Sequence, residues 1–164
     1  MPTTQKRFDQ LTAADVMSRD VLMISHHMGL RTAAHLLSQS HISGAPVTDG
    51  NGLCVGVLST TDLAHWAEGE PGGRRTACAM ECVCSDWQVV DMDRLPEETV
   101  DRYMTPDPVT ASADAPLRDL ARKMIDAHIH RIIIVDEWNR PVGVLSTTDI
   151  LAAVAREPPS VGNE

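Results

Sequence analysis

Apolar and polar positions along the first third of the chain predict a short series of strands and helices. Four apolar residues spaced i, i+3, i+4 and i+7 predict a helix with one narrow buried stripe. The stripe consists of Leu30, Ala33, Ala34 and Leu37. Short apolar runs predict strands at residues 21–24, 45–47 and 54–58. A last helix begins at Ser59, so the predicted order is β-α-β-β-α.

The same pattern occurs a second time. The second stripe consists of Leu117, Leu120, Ala121 and Met124, and the second set of strands is expected at residues 109–111, 132–135 and 142–145. The segment Gly56–Asp62 recurs letter for letter as Gly143–Asp149, 87 residues later. No gap is needed to align residues 15–67 with 102–154. The chain is therefore an internal duplication.

The duplication predicts how the domains are organised. Each copy is too short to bury a comfortable core alone, so we expect the two to pack sheet to sheet about a pseudo-twofold axis. This arrangement gives an α/β or α+β fold with two equivalent clefts at the seam. The expected parts are repeat 1 at 12–67, a linker at 68–101 and repeat 2 at 102–156. Within the linker, Pro96 followed by Glu97 and Glu98 predicts a helix start.

Composition and charge exclude several classes of function. Hydrophobic residues make up 43% but aromatic residues only 3%, so the core is expected to be aliphatic. The net charge of −9 without a basic cluster argues against a nucleic acid partner. No apolar run reaches the roughly 20 residues of a membrane span, and residues 1–10 lack the apolar core of a signal peptide. We therefore expect a cytoplasmic protein without a membrane partner.

The four cysteines leave two interpretations open. Cys78, Cys82 and Cys84 cluster in the linker, and Cys54 lies in a predicted strand. Their spacing matches no standard zinc knuckle, so we expect free thiols and no metal. The alternative is that the three linker thiolates hold zinc or respond to redox state.

The repeated motif stands where each last strand enters a helix. It reads Ser59-Thr60-Thr61-Asp62 in one copy and Ser146-Thr147-Thr148-Asp149 in the other. The first-turn N–H groups of a helix lack internal partners and favour phosphate, and the Thr61 and Thr148 hydroxyls add donors. A carboxylate suits the paired 2′ and 3′ hydroxyls of a ribose. The motif therefore indicates a nucleoside phosphate site.

A purely structural role explains the same letters. Ser at the N-cap with an acid three residues later is a capping box, which stabilises a helix without any ligand. The letter-for-letter duplication favours at least one working site. Catalysis has no support, because the sequence contains no nucleophile elbow, P-loop, HExxH or GxGxxG motif. We expect a protein that is not an enzyme and requires no cofactor.

The duplicated unit resembles a pair of CBS domains, which is called a Bateman module. The resemblance rests on Met-Ser or Met-Thr before the first strand, an apolar run ending in Asp, and Gly-Val-Leu-Ser-Thr-Thr-Asp entering a helix. It covers residues 12–67 and 99–156. It implies a regulatory module that binds AMP, ADP, ATP or S-adenosylmethionine, and sometimes NAD, in clefts between the repeats. It also implies a disc-shaped homodimer.

The resemblance implies two unequal clefts. His130-Arg131 matches a His-Arg pair near the phosphates, whereas the first repeat has Ser43-Gly44 there. The stronger cleft is expected to contain Ser146, Thr148, Asp149, His130, Arg131, Met17, Leu22, Ile42 and Ser43. The weaker cleft is expected to contain Ser59, Thr61, Asp62, Met104, Val109 and Ile129, with His130 as a further candidate.

The sequence thus predicts a stand-alone sensor whose ligand changes its assembly or its binding to an effector protein. The alternative is a structural or redox- or metal-responsive interaction module with non-functional clefts. A homodimer is also expected, because the two last helices are more apolar than solvated helices should be. Their apolar residues are Leu63, Ala64 and Trp66, and Ile150, Leu151 and Val154.

Overall fold

The computed structural model describes residues 6–67 and 95–156, and it contains the predicted order of elements twice. The helices are α1 (Ala13–Val16), α2 (Leu30–Gln39), α3 (Thr60–Ala67), α4 (Leu117–Asp126) and α5 (Thr147–Ala155). The strands are β1 (Ile24–Ser25), β2 (Gly44–Thr48), β3 (Cys54–Ser59), β4 (Thr105–Pro106), β5 (Thr110–Ser112), β6 (Arg131–Val135) and β7 (Pro141–Ser146). Single 3-10 turns lie at Phe8–Gln10 and Val100–Arg102. The mixed α+β fold with two β-α-β-β-α repeats is confirmed.

The chain divides into two compact units that do not coincide with the repeats. In the described part of the chain, the first unit contains residues 22–67 and 95–108, and the second contains 6–21 and 109–156. Each unit therefore combines the strands and helices of one repeat with the segment that precedes the first strand of the other repeat.

The first unit is built on the sheet β1-β2-β3-β4. β1 is parallel to β2, and β2, β3 and β4 are successively antiparallel. The stripe predicted for α2 is buried in full and packs on the inner residues of β2 and β3. The turn between these strands is fixed by Asp49, whose Oδ1 accepts bonds from the N–H groups of Asn51 and Leu53. These bonds lower the pKa of Asp49.

The second unit is built on the sheet β5-β6-β7, with β5 parallel to β6 and β6 antiparallel to β7. Three of the four residues predicted for the α4 stripe are buried, and Ala121 is half-buried. They pack on an apolar β6, whose Ile132 and Ile134 are fully buried. The predicted strand and helix pattern of the second repeat is therefore confirmed.

The two segments that pack on the other repeat, residues 6–21 and 95–108, make equivalent backbone hydrogen bonds. In the second unit, Ala13 N–H donates to Ala115 O at 3.0 Å and Ala14 N–H donates to Ala113 O at 2.8 Å. In the first unit, the bonds from Val100 to Met28 (2.9 Å) and from Asp101 to His26 (3.1 Å) repeat this pair. All of these donors and acceptors are related by the 87-residue offset of the duplication. The segment before each first strand therefore belongs to the duplicated unit but packs on the other copy.

The helix start predicted at Pro96 is wrong. Glu98 O accepts a bond from Leu30 N–H, Thr99 bridges to Gly29, and Val100 N–H donates to Met28 O. Because these backbone groups already pair with Leu30 and the two residues before α2, they are not available for an α-helix. Only a 3-10 turn at Val100–Arg102 forms.

Candidate functional site

Each unit contains one strand that runs directly into a helix with the Ser-Thr-Thr-Asp motif. In the second unit, Asp149 Oδ2 accepts bonds from the backbone N–H of Ser146 at 2.8 Å and from its hydroxyl at 2.6 Å. Ser146 Oγ in turn accepts from Asp149 N–H at 3.2 Å. These bonds form the capping box that the sequence allowed.

The first unit repeats this cap with nearly the same geometry. Asp62 Oδ2 accepts from Ser59 N–H at 2.7 Å and from Ser59 Oγ at 2.6 Å, and Ser59 Oγ accepts from Asp62 N–H at 3.3 Å. In both copies the cap uses one carboxylate oxygen. Capping and ligand binding are therefore compatible, because Oδ1 takes no part in the cap.

The second carboxylate oxygen distinguishes the two copies. Asp62 Oδ1 accepts a bond from the Thr105 hydroxyl at 3.0 Å. Within residues 6–67 and 95–156, Asp149 Oδ1 accepts no bond from a protein donor. The second unit therefore presents a half-buried carboxylate with one oxygen open to a ligand.

The first helical turn offers fewer donors than the sequence suggested. Thr147 N–H donates to His130 O at 3.0 Å, and Asp149 N–H is taken by the Ser146 hydroxyl. In the described part of the chain, Thr148 makes no bond outside its own helix through its N–H or its hydroxyl, and its side chain is exposed. The N–H and the hydroxyl of Thr148 are therefore not engaged by other described protein groups at this helix start.

Arg131 lies directly opposite Ser146 in the β6–β7 pair. Residues opposite each other in an antiparallel pair point to the same face, with Cβ atoms about 5 Å apart. The exposed Arg131 guanidinium thus shares a face with the cap. His130 is also exposed, and its carbonyl fixes the first residue of α5.

The first unit has no cation at the matching place. Gly44 lies opposite Ser59, and a Cβ there would come 3.1 Å from Leu58 O and 3.3 Å from Ser59 Cβ. Such approaches are shorter than an ordinary contact, so a side chain needs the strand to shift. The first unit therefore has a glycine at the position where the second unit has Arg131, and a side chain at Gly44 would need a shift of a few tenths of an ångström.

The other predicted site residues divide between the units. Met17, Val109 and Ile129 belong to the second unit with Ser146, Thr148, Asp149, His130 and Arg131. Leu22, Ile42, Ser43 and Met104 belong to the first unit with Ser59, Thr61 and Asp62. The assignment of these residues to two mixed clefts stays a prediction.

Two of the residues predicted for the clefts are packed inside their own unit. Met17 is 8% exposed and covers Gly143, where an added Cβ would lie 2.3 Å from the Met17 sulfur. Met104 is half-buried and covers Gly56 in the same manner, at 2.5 Å. Each methionine therefore anchors its segment on the strand that leads into the motif helix, Met17 on β7 and Met104 on β3.

The cysteine cluster cannot be related to this site. Cys78, Cys82 and Cys84 lie outside the described residues. Cys54 is buried in β3, and burial raises the pKa of its thiol, which keeps it protonated. Within the described ranges, no three His, Cys, Asp or Glu residues are grouped to hold a metal ion, and no helix there has the length and apolarity to cross a bilayer.

Sequence reasoning missed Thr105 and its counterpart Ser18. Both directly follow a methionine that the resemblance singled out, and they differ where most of the motif is identical. That difference between the repeats was the available signal.

Comparison with known proteins relates most of the chain to one family. The family model for the CBS domain matches residues 13–69 and again 100–156. The chain is 28% identical over 149 residues to the uncharacterized protein MJ1232 of Methanocaldococcus jannaschii, covering 91% of this chain and 41% of that protein. It spans less than half the length of the first curated relatives it matches.

Two solved structures resemble the fold at low sequence identity. The CBS domain pair of protein MJ0100, in complex with 5′-methylthioadenosine and S-adenosyl-L-methionine, has a TM-score of 0.67 at 22% identity, covering 88% of this chain and 96% of that one. CBSX2 from Arabidopsis thaliana, in complex with AMP, has a TM-score of 0.68 at 23% identity, with the same coverage. These likenesses show the fold.

Proposed function

Since the chain belongs to the CBS domain family, we propose that it is a regulatory module that binds an adenosine-containing ligand at the Ser146–Asp149 helix start. The candidate ligands are AMP, ADP, ATP and S-adenosylmethionine. The module binds the ligand without converting it chemically, and binding changes its assembly or its affinity for an effector protein.

The observation that carries this proposal is the open oxygen of Asp149. The capping box leaves Oδ1 without a donor in the described part of the chain, although the carboxylate is half-buried. A ribose diol supplies two hydroxyl donors to such a group, and hydrogen bonds to a charged acceptor are stronger than neutral ones. Because the carboxylate is only half-buried, Oδ1 is accessible to such donors.

The surroundings of Asp149 support a phosphate on the same ligand. Thr148 offers an N–H and a hydroxyl at the positive end of the α5 dipole. Arg131 carries a fixed positive charge on the same face, and its planar guanidinium suits phosphate oxygens. Solved CBS pairs in complex with AMP and with S-adenosyl-L-methionine support the ligand class.

The proposal is tested by melting the purified protein with adenosine, AMP, ADP, ATP and S-adenosylmethionine, and with GTP to test base selectivity. A ligand at a hundredfold excess over its Kd stabilises the fold by about 2.7 kcal/mol, which raises the Tm by roughly 5–10 °C. At least one adenosine compound is expected to produce this shift. If none moves the melting curve at millimolar concentration, the proposed function is wrong.

The phosphate contact has its own test. Arg131→Ala is expected to weaken ATP binding at least tenfold while adenosine binding changes little, because only the phosphate contact is lost. Arg140→Ala is the matched control, since Arg140 is exposed in the β6–β7 turn and its loss changes the net charge equally. Equal losses for ATP and adenosine would contradict the assigned role of Arg131.

We also propose that the module is a homodimer through α5. Leu151 and Val154 are 67% and 48% exposed, whereas Leu63 and Ile150 are buried within their own units. A second copy of this helix is a suitable apolar cover. Sedimentation at micromolar concentration should give a dimer, and Leu151→Glu should give a monomer. A monomeric unsubstituted protein would refute the proposal.

A further inference from the structure

The two copies of the motif place their aspartates identically, but the two carboxylates accept different numbers of hydrogen bonds. Asp62 receives three hydrogen bonds on its carboxylate, two on Oδ2 from Ser59 and one on Oδ1 from Thr105. Asp149 receives only the two bonds from Ser146 within the described residues. The extra bond on Asp62 comes from outside the capping box.

The backbone at Thr105 does not explain the difference. Thr105 pairs with Val57 across the β3–β4 ladder, and Ser18 bridges to Val144 in the second unit. Val57 and Val144 are equivalent in the duplication, so Thr105 and Ser18 have the same place beside the two helix starts. What differs is one methyl group. A β-branched threonine is stiff at χ1, whereas a serine hydroxyl reorients easily.

A second difference at the Asp62 helix start also disfavours a ligand there. Gly44 stands opposite Ser59, and the tight approach of Leu58 O leaves no ordinary space for a side chain. The first unit therefore has a glycine opposite its cap, where the second unit has Arg131. A ligand at Asp62 would lack the phosphate contact proposed for Arg131 and would depend more on the ribose contact, for which Thr105 competes.

We propose that Thr105 is a specificity-determining residue that closes the Asp62 helix start to ribose, so that the chain binds one adenosine ligand, at Asp149. This inference rests on the proposed function for its ligand class. Thr105 is a positioning residue in this role, because it acts on the ligand only through Asp62.

The affinity lost for ribose at Asp62 can be estimated from the hydrogen bonds on its carboxylate. Oδ2 already accepts two capping bonds in both copies, so a ribose diol has to donate to Oδ1. At Asp62 one of the two acceptor positions of Oδ1 is taken by the Thr105 hydroxyl, which the diol must displace. The ribose hydroxyl there only replaces one bond to a charged acceptor by another, so the contact adds no net hydrogen bond, and binding is weaker by about tenfold or more. At Asp149 nothing has to be displaced.

Titration calorimetry with adenosine tests the proposal, because adenosine has no phosphate and compares the two sites on ribose alone. Thr105→Val removes the hydroxyl but keeps the side-chain shape. It is expected to add one binding equivalent per chain compared with the unsubstituted protein, with the Kd of that site falling at least tenfold. The added equivalent must disappear when 2′,3′-dideoxyadenosine replaces adenosine, since that probe lacks both hydroxyl donors.

Two further variants keep the test decisive. Thr105→Val combined with Asp62→Asn should lose the added equivalent, and Ser18→Thr should weaken adenosine binding at Asp149. If Thr105→Val folds and binds no more adenosine than the unsubstituted protein, the inference is overturned. An unsubstituted protein that binds two equivalents overturns it as well. An unsubstituted protein that binds none refutes the proposed function, and a gain in Thr105→Val then still supports the role of Thr105.

Discussion

A methyl group added at Gly143 should destabilise the second unit through Met17. The new Cβ would lie 2.3 Å from the Met17 sulfur, 3.0 Å from its Cγ and 3.2 Å from Ser18 O. An ordinary carbon contact is about 3.5 Å or more, so the thioether has to move by roughly 1.2 Å. Met17 is only 8% exposed, and little space is free around it. Overpacking of this kind costs about 1–3 kcal/mol.

The assay is urea unfolding of Gly143→Ala, with the Tm as a second readout. A loss of about 1–3 kcal/mol lowers the Tm of a chain this size by roughly 2–12 °C. Gly50→Ala is the matched control, because a Cβ at Gly50 has no atom within 4 Å. Its stability should change by less than about 0.5 kcal/mol.

A double-mutant cycle identifies Met17 as the cause. Met17→Ala alone should cost about 2–5 kcal/mol, since it leaves a cavity over β7. In the double variant the added methyl enters that cavity, so the total loss should be smaller than the sum by about 1 kcal/mol or more. Additive losses would refute the packing of Met17 on Gly143, and with it the docking of residues 12–18 on the second repeat.

Two further predictions concern charge and backbone conformation. The bond from Lys6, followed by the bond from Thr12 N–H, lowers the pKa of Asp15 below its ordinary value of 3.8. A carboxyl group whose pKa is lower in the folded state than in the unfolded state stabilises the fold at pH values above its unfolded pKa. This stabilisation is lost as the pH falls through the folded pKa. Lys6→Ala should therefore be less stable at pH 7 and equal to the unsubstituted protein near pH 2, and NMR titration should place its Asp15 pKa closer to 3.8. His41 and His128, which follow α2 and α4, have φ values of 53° and 52°, in the left-handed region that favours glycine. Replacing either by Gly should therefore raise the free energy of unfolding by about 0.5–1 kcal/mol. A variant that is less stable in chemical denaturation would contradict this argument.

The sequence was sufficient to predict the helices and strands of the two repeats, because these elements follow from local patterns of apolar residues. The stripe Leu30, Ala33, Ala34 and Leu37 is buried as predicted, because each residue follows from the 3.6-residue repeat of a helix. Predicted strand ends differ from the observed ones by a few residues, as for β1 at Ile24–Ser25. The capping boxes at Ser59 and Ser146 were also readable from the letters alone.

The features that the sequence did not predict depend on distant pairs. The docking of each leading segment on the other repeat requires bonds such as Ala13 to Ala115, which no local pattern encodes. The failure of the helix at Pro96 has the same origin, since Gly29 and Met28 take the backbone groups of Thr99 and Val100. The bond from Thr105 to Asp62 joins residues 43 apart. This bond could be identified only from the structure, which places Thr105 of β4 next to Asp62 of α3.

The central claim is that Asp149 binds a ligand while Asp62 only caps its helix. The most direct measurement compares Asp149→Ala and Asp62→Ala in thermal melts with and without the adenosine compound that shifts the unsubstituted protein most. Because both carboxylates make the same capping bonds, each variant should lose about 0.5–2 kcal/mol of stability in the absence of ligand, and Asp62→Ala should lose more than Asp149→Ala because it also removes the bond from Thr105. With ligand, Asp62→Ala should keep most of the shift and Asp149→Ala should lose it. A larger loss of ligand response in Asp62→Ala, or equal losses in both, would contradict the account.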